Sequence, residues 1–242
     1  MSEKSGIEWT HATWNPTTGC TKVSPGCLNC YAEKLSYRLY RMGVEKYKNN
    51  FKLTIHEDSL EIPLKWQEPK LIFVNSMSDL FHKDVPFAFV KRVFEVMEEA
   101  NWHCYQILTK RPERMLEFTQ KYYQKPLSNV WLGTSVESAA WKGRIDILRK
   151  VPARVRFLSI EPLIGQVGEL NLKNIHWVIA GGESGPNRRP VDKEWVREIR
   201  DQCIDQKVAF FFKQWGGYHP KANGRRLDRK HWNEYPVKMN YA

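Results

Sequence analysis

Leu71-Ile72-Phe73-Val74-Asn75-Ser76-Met77-Ser78-Asp79 decides how this chain folds. Four apolar residues in succession, with no polar alternation, suit a strand buried on both faces. The polar cluster that follows marks where the strand leaves the core. The unit recurs downstream. Tyr105-Gln106-Ile107-Leu108 runs into Thr109-Lys110-Arg111, and Val130-Trp131-Leu132 leads to Thr134-Ser135-Val136-Glu137. Val155-Arg156-Phe157-Leu158 reaches Ser159-Ile160-Glu161, and His176-Trp177-Val178-Ile179-Ala180 reaches Gly181-Gly182-Glu183-Ser184. Val208-Ala209-Phe210-Phe211-Phe212 ends in Lys213-Gln214-Trp215.

Helical patterns separate the runs. After Pro86 the residues Phe89, Val90, Val93, Phe94 and Met97 make one apolar face, with Asp84 the expected cap. Pro112 opens a helix carrying Met115 and Leu116. Trp141, Ile145 and Leu148 mark a third, and a fourth begins at Asp192 with Trp195, Val196, Ile199 and Cys203. Upstream, Ala12-Thr13-Trp14-Asn15 reads as one more strand, and Phe51-Lys52-Leu53-Thr54-Ile55 as a short one in an irregular stretch. Buried strands alternating with amphipathic helices imply a parallel sheet. The expected fold is α/β, a full or partial (β/α) barrel of six or seven parallel strands. A six-stranded open sheet with a ligand at one switch point is the competing topology. In a barrel the strand-end clusters meet on one face and line a shared cavity.

Ahead of the first such unit, Gly19-Cys20-Thr21-Lys22-Val23-Ser24-Pro25-Gly26-Cys27-Leu28-Asn29-Cys30-Tyr31 places three of the five cysteines within eleven residues, as C-x6-C-x2-C. A helix follows at once, with Ala32, Leu35, Leu39 and Met42 as its expected core stripe and Gly43 at its end. Clustered thiols in a chain without a secretory h-region point to metal or redox chemistry. Zinc would need a fourth ligand at a distance. A redox pair of Cys27 and Cys30 would leave Cys20 unexplained. A [4Fe–4S] cluster on three thiolates would leave one iron open to a small molecule.

With 42% hydrophobic and 27% charged residues the 242-residue chain has the composition of a globule with a real core. No apolar run approaches the roughly 20 residues that span a bilayer, so no membrane partner and a cytoplasmic location are expected. A net charge of +11 favours a polyanion, nucleic acid first. Residues 1–215 are expected to form the barrel, with its cluster loop at 19–31. Residues 216–242 form a basic, aromatic extension, in which Lys221, Arg225, Arg226, Arg229, Lys230 and Lys238 alternate with Tyr218, Trp232 and Tyr235. Such interleaving suits either a nucleic-acid backbone with stacked bases or an extension packed on the barrel.

A three-cysteine loop before a helix and a run of βα units resembles the radical-SAM superfamily. Gly6-Ile7-Glu8-Trp9-Thr10, Thr13-Trp14-Asn15-Pro16, the long cysteine spacing, Asn75-Ser76-Met77-Ser78-Asp79-Leu80-Phe81, Leu108-Thr109-Lys110-Arg111-Pro112 and Lys213-Gln214-Trp215-Gly216 resemble its phage-associated three-cysteine branch. The first spacing is six residues where the superfamily commonly has three, and Asn29 stands where an aromatic residue usually precedes the last cysteine. The resemblance implies that Cys20, Cys27 and Cys30 hold a [4Fe–4S] cluster whose open iron is chelated by S-adenosylmethionine (SAM). It implies that Asn75, Ser78 and Asp79 meet the methionine amine, Lys110 or Arg111 the carboxylate, and Ser135 and Glu137 the ribose. Glu161, Glu183 and Lys213 are the catalytic candidates. Gly181-Gly182-Glu183 is similar to the superfamily's glycine-glycine-glutamate contact but comes several strands later.

The implied chemistry is reductive cleavage of SAM to a 5′-deoxyadenosyl radical, with a flavodoxin- or ferredoxin-type electron donor. The expected substrate is nucleic acid or a modified nucleotide. An isomerase in phage thymidine hypermodification comes first, and a lyase of the spore-photoproduct type second. A non-catalytic iron–sulfur or zinc nucleic-acid-binding protein is the alternative from another class.

Overall fold

The computed structural model describes residues 5–219 and 221–236. Residues 1–4 of the N-terminal reading, and Lys238 of the basic tail, lie outside them. The strands are β1 (Ala12–Trp14), β2 (Thr17–Thr18), β3 (Thr54–Ile55), β4 (Leu71–Val74), β5 (Cys104–Thr109), β6 (Val130–Ser135), β7 (Val155–Ile160), β8 (Trp177–Gly181) and β9 (Ala209–Gln214). The helices are α1 (Tyr31–Arg41), α2 (Phe87–Glu99), α3 (Pro112–Tyr122), α4 (Gly143–Lys150) and α5 (Lys193–Asp205). A seven-stranded sheet runs in the order β1-β4-β5-β6-β7-β8-β9. This α/β order is the partial form of the expected (β/α) barrel: it has seven strands, with β1 and β9 at its two ends. No helix among the described residues is long and apolar enough to cross a membrane.

The chain divides into two compact units. The first is Met1–Val23, Cys30–Leu132 and Val151–Arg154; the second is Ser24–Asn29, Gly133–Lys150 and Val155–Ala242. In the first unit β1 pairs parallel with β4, Ala12 opposite Ile72 and Trp14 opposite Val74, and β4 pairs parallel with β5. All four residues of β4 are buried, as an uninterrupted apolar run requires. Against these strands α2 buries Phe89, Val90, Val93, Phe94 and Met97, each contributing about 1.5–3 kcal/mol.

Three expectations for this unit change. Asp84 does not cap α2; extended Pro86 takes that position and Phe87 begins the helix, leaving Asp84 too far back in the chain. Of the stretch expected as a strand at 51–55, only Thr54–Ile55 forms one, antiparallel to β2. On α1 only Ala32 of the expected stripe Ala32, Leu35, Leu39 and Met42 is buried. Ala32 and Ser36, one turn apart, are buried, while Met42 is 64% exposed. Small side chains bring the helix backbone close to its support, and the Ser36 hydroxyl donates to Asn50 O at 2.7 Å.

In the second unit β7, β8 and β9 pair parallel, with a shift at Ala180/Gly181. The helix expected from Asp192 is α5, and Asp192 proves to be its cap, its carboxylate accepting the Glu194 N–H at 2.8 Å. Trp141 falls in a short 3-10 turn, Ala139–Trp141, ahead of α4. The tail lies along the outer edge of β9. Phe212 N–H donates to Trp232 O at 3.0 Å, Glu234 N–H to Phe210 O at 3.1 Å, and Asn233 bridges antiparallel to Phe211. Tyr235 stacks on Trp177 with ring centroids 5.2 Å apart, and Trp232 sets its edge against Phe210 at 5.9 Å. Trp232 and Tyr235 are therefore packing residues, whereas Tyr218 is 61% exposed.

Candidate functional site

Gly19, at φ +81°, turns the chain into the cysteine loop, and a Cβ there would lie 2.2 Å from Lys52 O. Its N–H donates to Met77 O at 3.0 Å, and Cys20 N–H donates to Phe51 O at 3.2 Å. In the first unit the segment after β4 is tied to β1. Asn15 Oδ1 accepts from Met77 N–H at 3.1 Å and Ser76 Oγ at 3.2 Å, and Asn75 N–H donates to Trp14 O at 2.8 Å. Asn75, at φ +62°, donates its Nδ2 to Thr17 Oγ1 at 2.8 Å. Its Oδ1 is buried without a hydrogen-bond partner among the described residues. The Ser78 hydroxyl donates to Thr17 O at 2.8 Å.

Asp79 is buried and saturated. Oδ1 accepts from Phe81 N–H at 2.9 Å and Thr109 Oγ1 at 2.7 Å; Oδ2 accepts from Lys110 N–H at 3.2 Å and Arg111 Nη1 at 2.8 Å. Arg111 extends from that carboxylate to the cysteine loop. Nη1 also donates to Cys20 Sγ at 3.6 Å, and Nη2 to Thr21 O at 3.0 Å and Thr21 Oγ1 at 3.1 Å. Burial opposes the guanidinium charge, but Asp79 and Cys20 outweigh it and hold its pKa up. His82, which the sequence reading passed over, sits 2.8 Å from Thr21 Oγ1 through Nε2, and its Nδ1 accepts from Asp84 N–H at 3.2 Å. That acceptor fixes the neutral Nε2–H tautomer. Burial, with Arg111 beside it, lowers the His82 pKa against the pull of Asp84 and Asp79.

In the second unit Glu137 is fully buried under the Pro25–Cys27 turn. Its carboxylate accepts from Ser24 Oγ at 2.6 Å and Arg144 Nη1 at 3.0 Å, and Arg144 stacks on Trp141 at 4.1 Å. Gly26 permits this approach: a Cβ there would lie 2.4 Å from Glu137 Cγ. Ser24 Oγ is 3.8 Å from Cys27 Sγ. After β8, Glu183 accepts from Arg189 N–H at 2.8 Å, Arg189 Nε at 2.9 Å and Asn29 Nδ2 at 3.0 Å. Burial pushes this carboxyl upward, but the Arg189 and Asn29 donors overcome it and hold it below the usual carboxylate range. Arg189 Nη1 also donates to Pro25 O at 3.0 Å. At the ends of β7 and β9, Lys213 Nζ donates to Glu161 Oε1 at 2.7 Å.

Each unit thus uses carboxylate–arginine pairs to hold its own part of the cysteine loop. Asp79–Arg111 reaches Cys20 and Thr21; Glu137–Arg144 meets Ser24; Glu183–Arg189 meets Pro25 and Asn29. Arg144 and Arg189 were absent from the sequence reading. Their signal is an arginine seven residues after Glu137 and six after Glu183, close enough to fold back on the strand end. The catalytic candidates separate: Glu161 and Lys213 form one pair, and Glu183 is occupied by Arg189. Ser135 is buried, and Arg144 Nη1 donates to its carbonyl at 2.9 Å.

Cys20, Cys27 and Cys30 are each partly exposed, whereas burial pushes the Cys104 and Cys203 thiols far up. Three accessible soft donors in one loop fit an iron–sulfur cluster chemically. The unpartnered acceptor of Asn75 fits an ammonium-bearing ligand. Among the described residues no three His, Cys, Asp or Glu side chains are gathered to hold a metal ion.

Fold and site define an α/β protein with a cysteine loop held by charged groups at its strand ends. The chain matches, over residues 4–236, the family model described as "Protein of unknown function (DUF5131)", and it belongs to that family. No curated protein matches the chain. Among solved structures it is similar to a spore photoproduct lyase mutant with bound AdoMet and dinucleoside spore photoproduct. The identity is 13% and the TM-score 0.47, over 78% of this chain. The chain spans 60% of that protein's length.

Proposed function

We propose that this protein is a radical-SAM enzyme of a phage-associated three-cysteine branch, acting on nucleic acid or a modified base within it. The observation that carries the reading is the cysteine loop, C-x6-C-x2-C, fixed within each unit by arginines paired to buried carboxylates. A loop needed only for chain connection has no use for three such anchors. Cys20, Cys27 and Cys30 are the proposed ligands of a [4Fe–4S] cluster. With SAM bound, that cluster supplies one-electron cleavage to a 5′-deoxyadenosyl radical.

The chain's own residues position and shield. Asn75 Oδ1 is the proposed acceptor for the methionine ammonium. Arg111, anchored by Asp79, orients Cys20 and carries positive charge for the methionine carboxylate. Asp79 and Glu183, with their acceptor positions occupied by protein donors, are positioning residues. Lys213 and Glu161 keep a proton donor and acceptor together at Nζ and Oε1, and they are the proposed catalytic pair. The reaction class is isomerisation, with electrons from a flavodoxin- or ferredoxin-type protein of the cytoplasm.

Anaerobic reconstitution should give a brown protein with about four irons per chain, forming 5′-deoxyadenosine with dithionite and SAM. A colourless protein holding one zinc overturns the reading. Mass spectrometry of DNA nucleosides from cells with and without the active protein tests the class. An altered nucleoside of unchanged mass is the isomerase result, and a changed mass points to a lyase.

A further inference from the structure

Lys213-Gln214-Trp215-Gly216 contributes more than Lys213. Trp215 lines two clefts in the second unit. One, of about 580 Å³, is also lined by Lys193, Arg197, Arg226, Asp228 and Arg229. The other, of about 390 Å³, has Arg188 on its wall together with Arg189 and the Glu183 that pairs with it. The indole is fixed in place. Its Nε1–H donates to Arg226 O at 2.9 Å, its backbone N–H donates to Gly224 O at 3.1 Å, and its ring meets Phe212 edge-on at 4.6 Å.

Positive charge here exceeds what the protein neutralises. Asp228 faces Lys193 at 3.0 Å, Arg197 at 2.5 Å and Arg200 at 2.7 Å, three cations spaced along one side of α5, while Glu194 also pairs with Arg197 and Asp201 with Arg200. Arg226 and Arg229 are exposed and have no ion-pair partner among the described residues. The three cations of α5 are matched by three carboxylates, so the excess is carried by Arg226 and Arg229, and such an excess favours an anionic ligand. A rigid aromatic face between two groups of cations matches a strand whose phosphates alternate with unstacked bases.

We propose that these adjoining clefts bind single-stranded nucleic acid, with one base stacked on Trp215 and its flanking phosphates held by Lys193, Arg197, Arg226 and Arg229. This places the polyanion on α5 and the end of β9 and not on the tail rings, since Trp232 and Tyr235 are packed inward. A duplex keeps its bases stacked and offers none to the indole. The inference deepens the functional reading by locating its substrate strand, yet binding needs neither reductant nor SAM, so the two can fail separately.

Fluorescence anisotropy with a short labelled single strand, on the reconstituted full chain without reductant, tests it. Arg229 sits at φ +65°, a glycine-favouring conformation, so Arg229→Gly removes charge without backbone cost. The double variant Arg226→Gln/Arg229→Gly should bind at least about tenfold more weakly at low salt. Its log–log salt slope should shrink by about 1.4, roughly 0.7 for each lost phosphate contact. Trp215→Leu should lose about tenfold with the slope unchanged, and Lys91→Gln, in the first unit, should bind as the parent. Should Trp215→Leu fail to fold by circular dichroism, the double variant decides. The proposal is overturned if duplex binds as tightly as single strand, if inorganic phosphate displaces the strand at equal charge, or if the double variant binds as the parent.

Discussion

Asp79–Arg111 in the first unit and Glu183–Arg189 in the second are the same device used at different depths. Arg111 is nearly buried and its fork touches a cysteine sulfur directly. Arg189 is more exposed, closes on Glu183 through side chain and backbone together, and reaches only Pro25 O in the cysteine loop. The first arrangement sets a thiol; the second sets the backbone that carries one. Glu137–Arg144 is the most buried of the three pairs, and Gly26 packs directly over it.

Breaking each pair should rank them by burial. Glu137→Ala strands the Arg144 charge and should cost about 3–5 kcal/mol, read as the shift in urea midpoint. Asp79→Ala should cost about 3 kcal/mol and release Arg111, while Glu183→Ala, with its partly solvated arginine, should cost about 2 kcal/mol. An equal loss in all three would remove the distinction. Gly26→Ala drives a methyl into Glu137 and should cost about 1–3 kcal/mol in thermal unfolding.

A finer contrast is chemical. Arg111→Lys keeps the charge but loses the fork, so the alkylation rate of Cys20 by iodoacetamide should change severalfold. Arg189→Lys should leave that rate as it was. Equal effects at Cys20 would show that both arginines act only on the loop as a whole.

The smallest effect belongs to pH. His56, 2.8 Å from Thr18 Oγ1, has its pKa lowered from 6.5 to about 4 by burial and by Lys46, against Asp58. The folded state keeps the ring neutral, so the unfolded chain takes up the proton first as pH falls. This contribution is whole above pH 6.5 and is lost toward pH 4. Discounted for a half-exposed ring, it is about 1 kcal/mol. The urea midpoint should fall between pH 7 and pH 5, and His56→Gln should flatten that fall.

The sheet was legible because strands buried on both faces must be apolar throughout, as at 71–74 and 209–212. On α1 that logic held for Ala32 alone. Leu and Tyr are scattered around the helix, and the buried face is the small pair Ala32 and Ser36, which periodicity weighs least. Glu137 and Glu183 could be read as strand-end carboxylates. Their engagement by Arg144 and Arg189 could not, because a surface arginine and a buried partner look alike in sequence. The tail rings were visible as aromatic, but the direction they face depends on β9 being an edge.

That edge has a consequence for how the chain can be damaged. Residues 232–234 take up backbone groups that β9 would otherwise leave open, while residues 221–224 leading to them are exposed. A protease cutting in that approach would remove no strand and no cysteine. It would unfasten the seal on three adjacent phenylalanines, Phe210, Phe211 and Phe212, and leave a β edge open to the next copy of the chain.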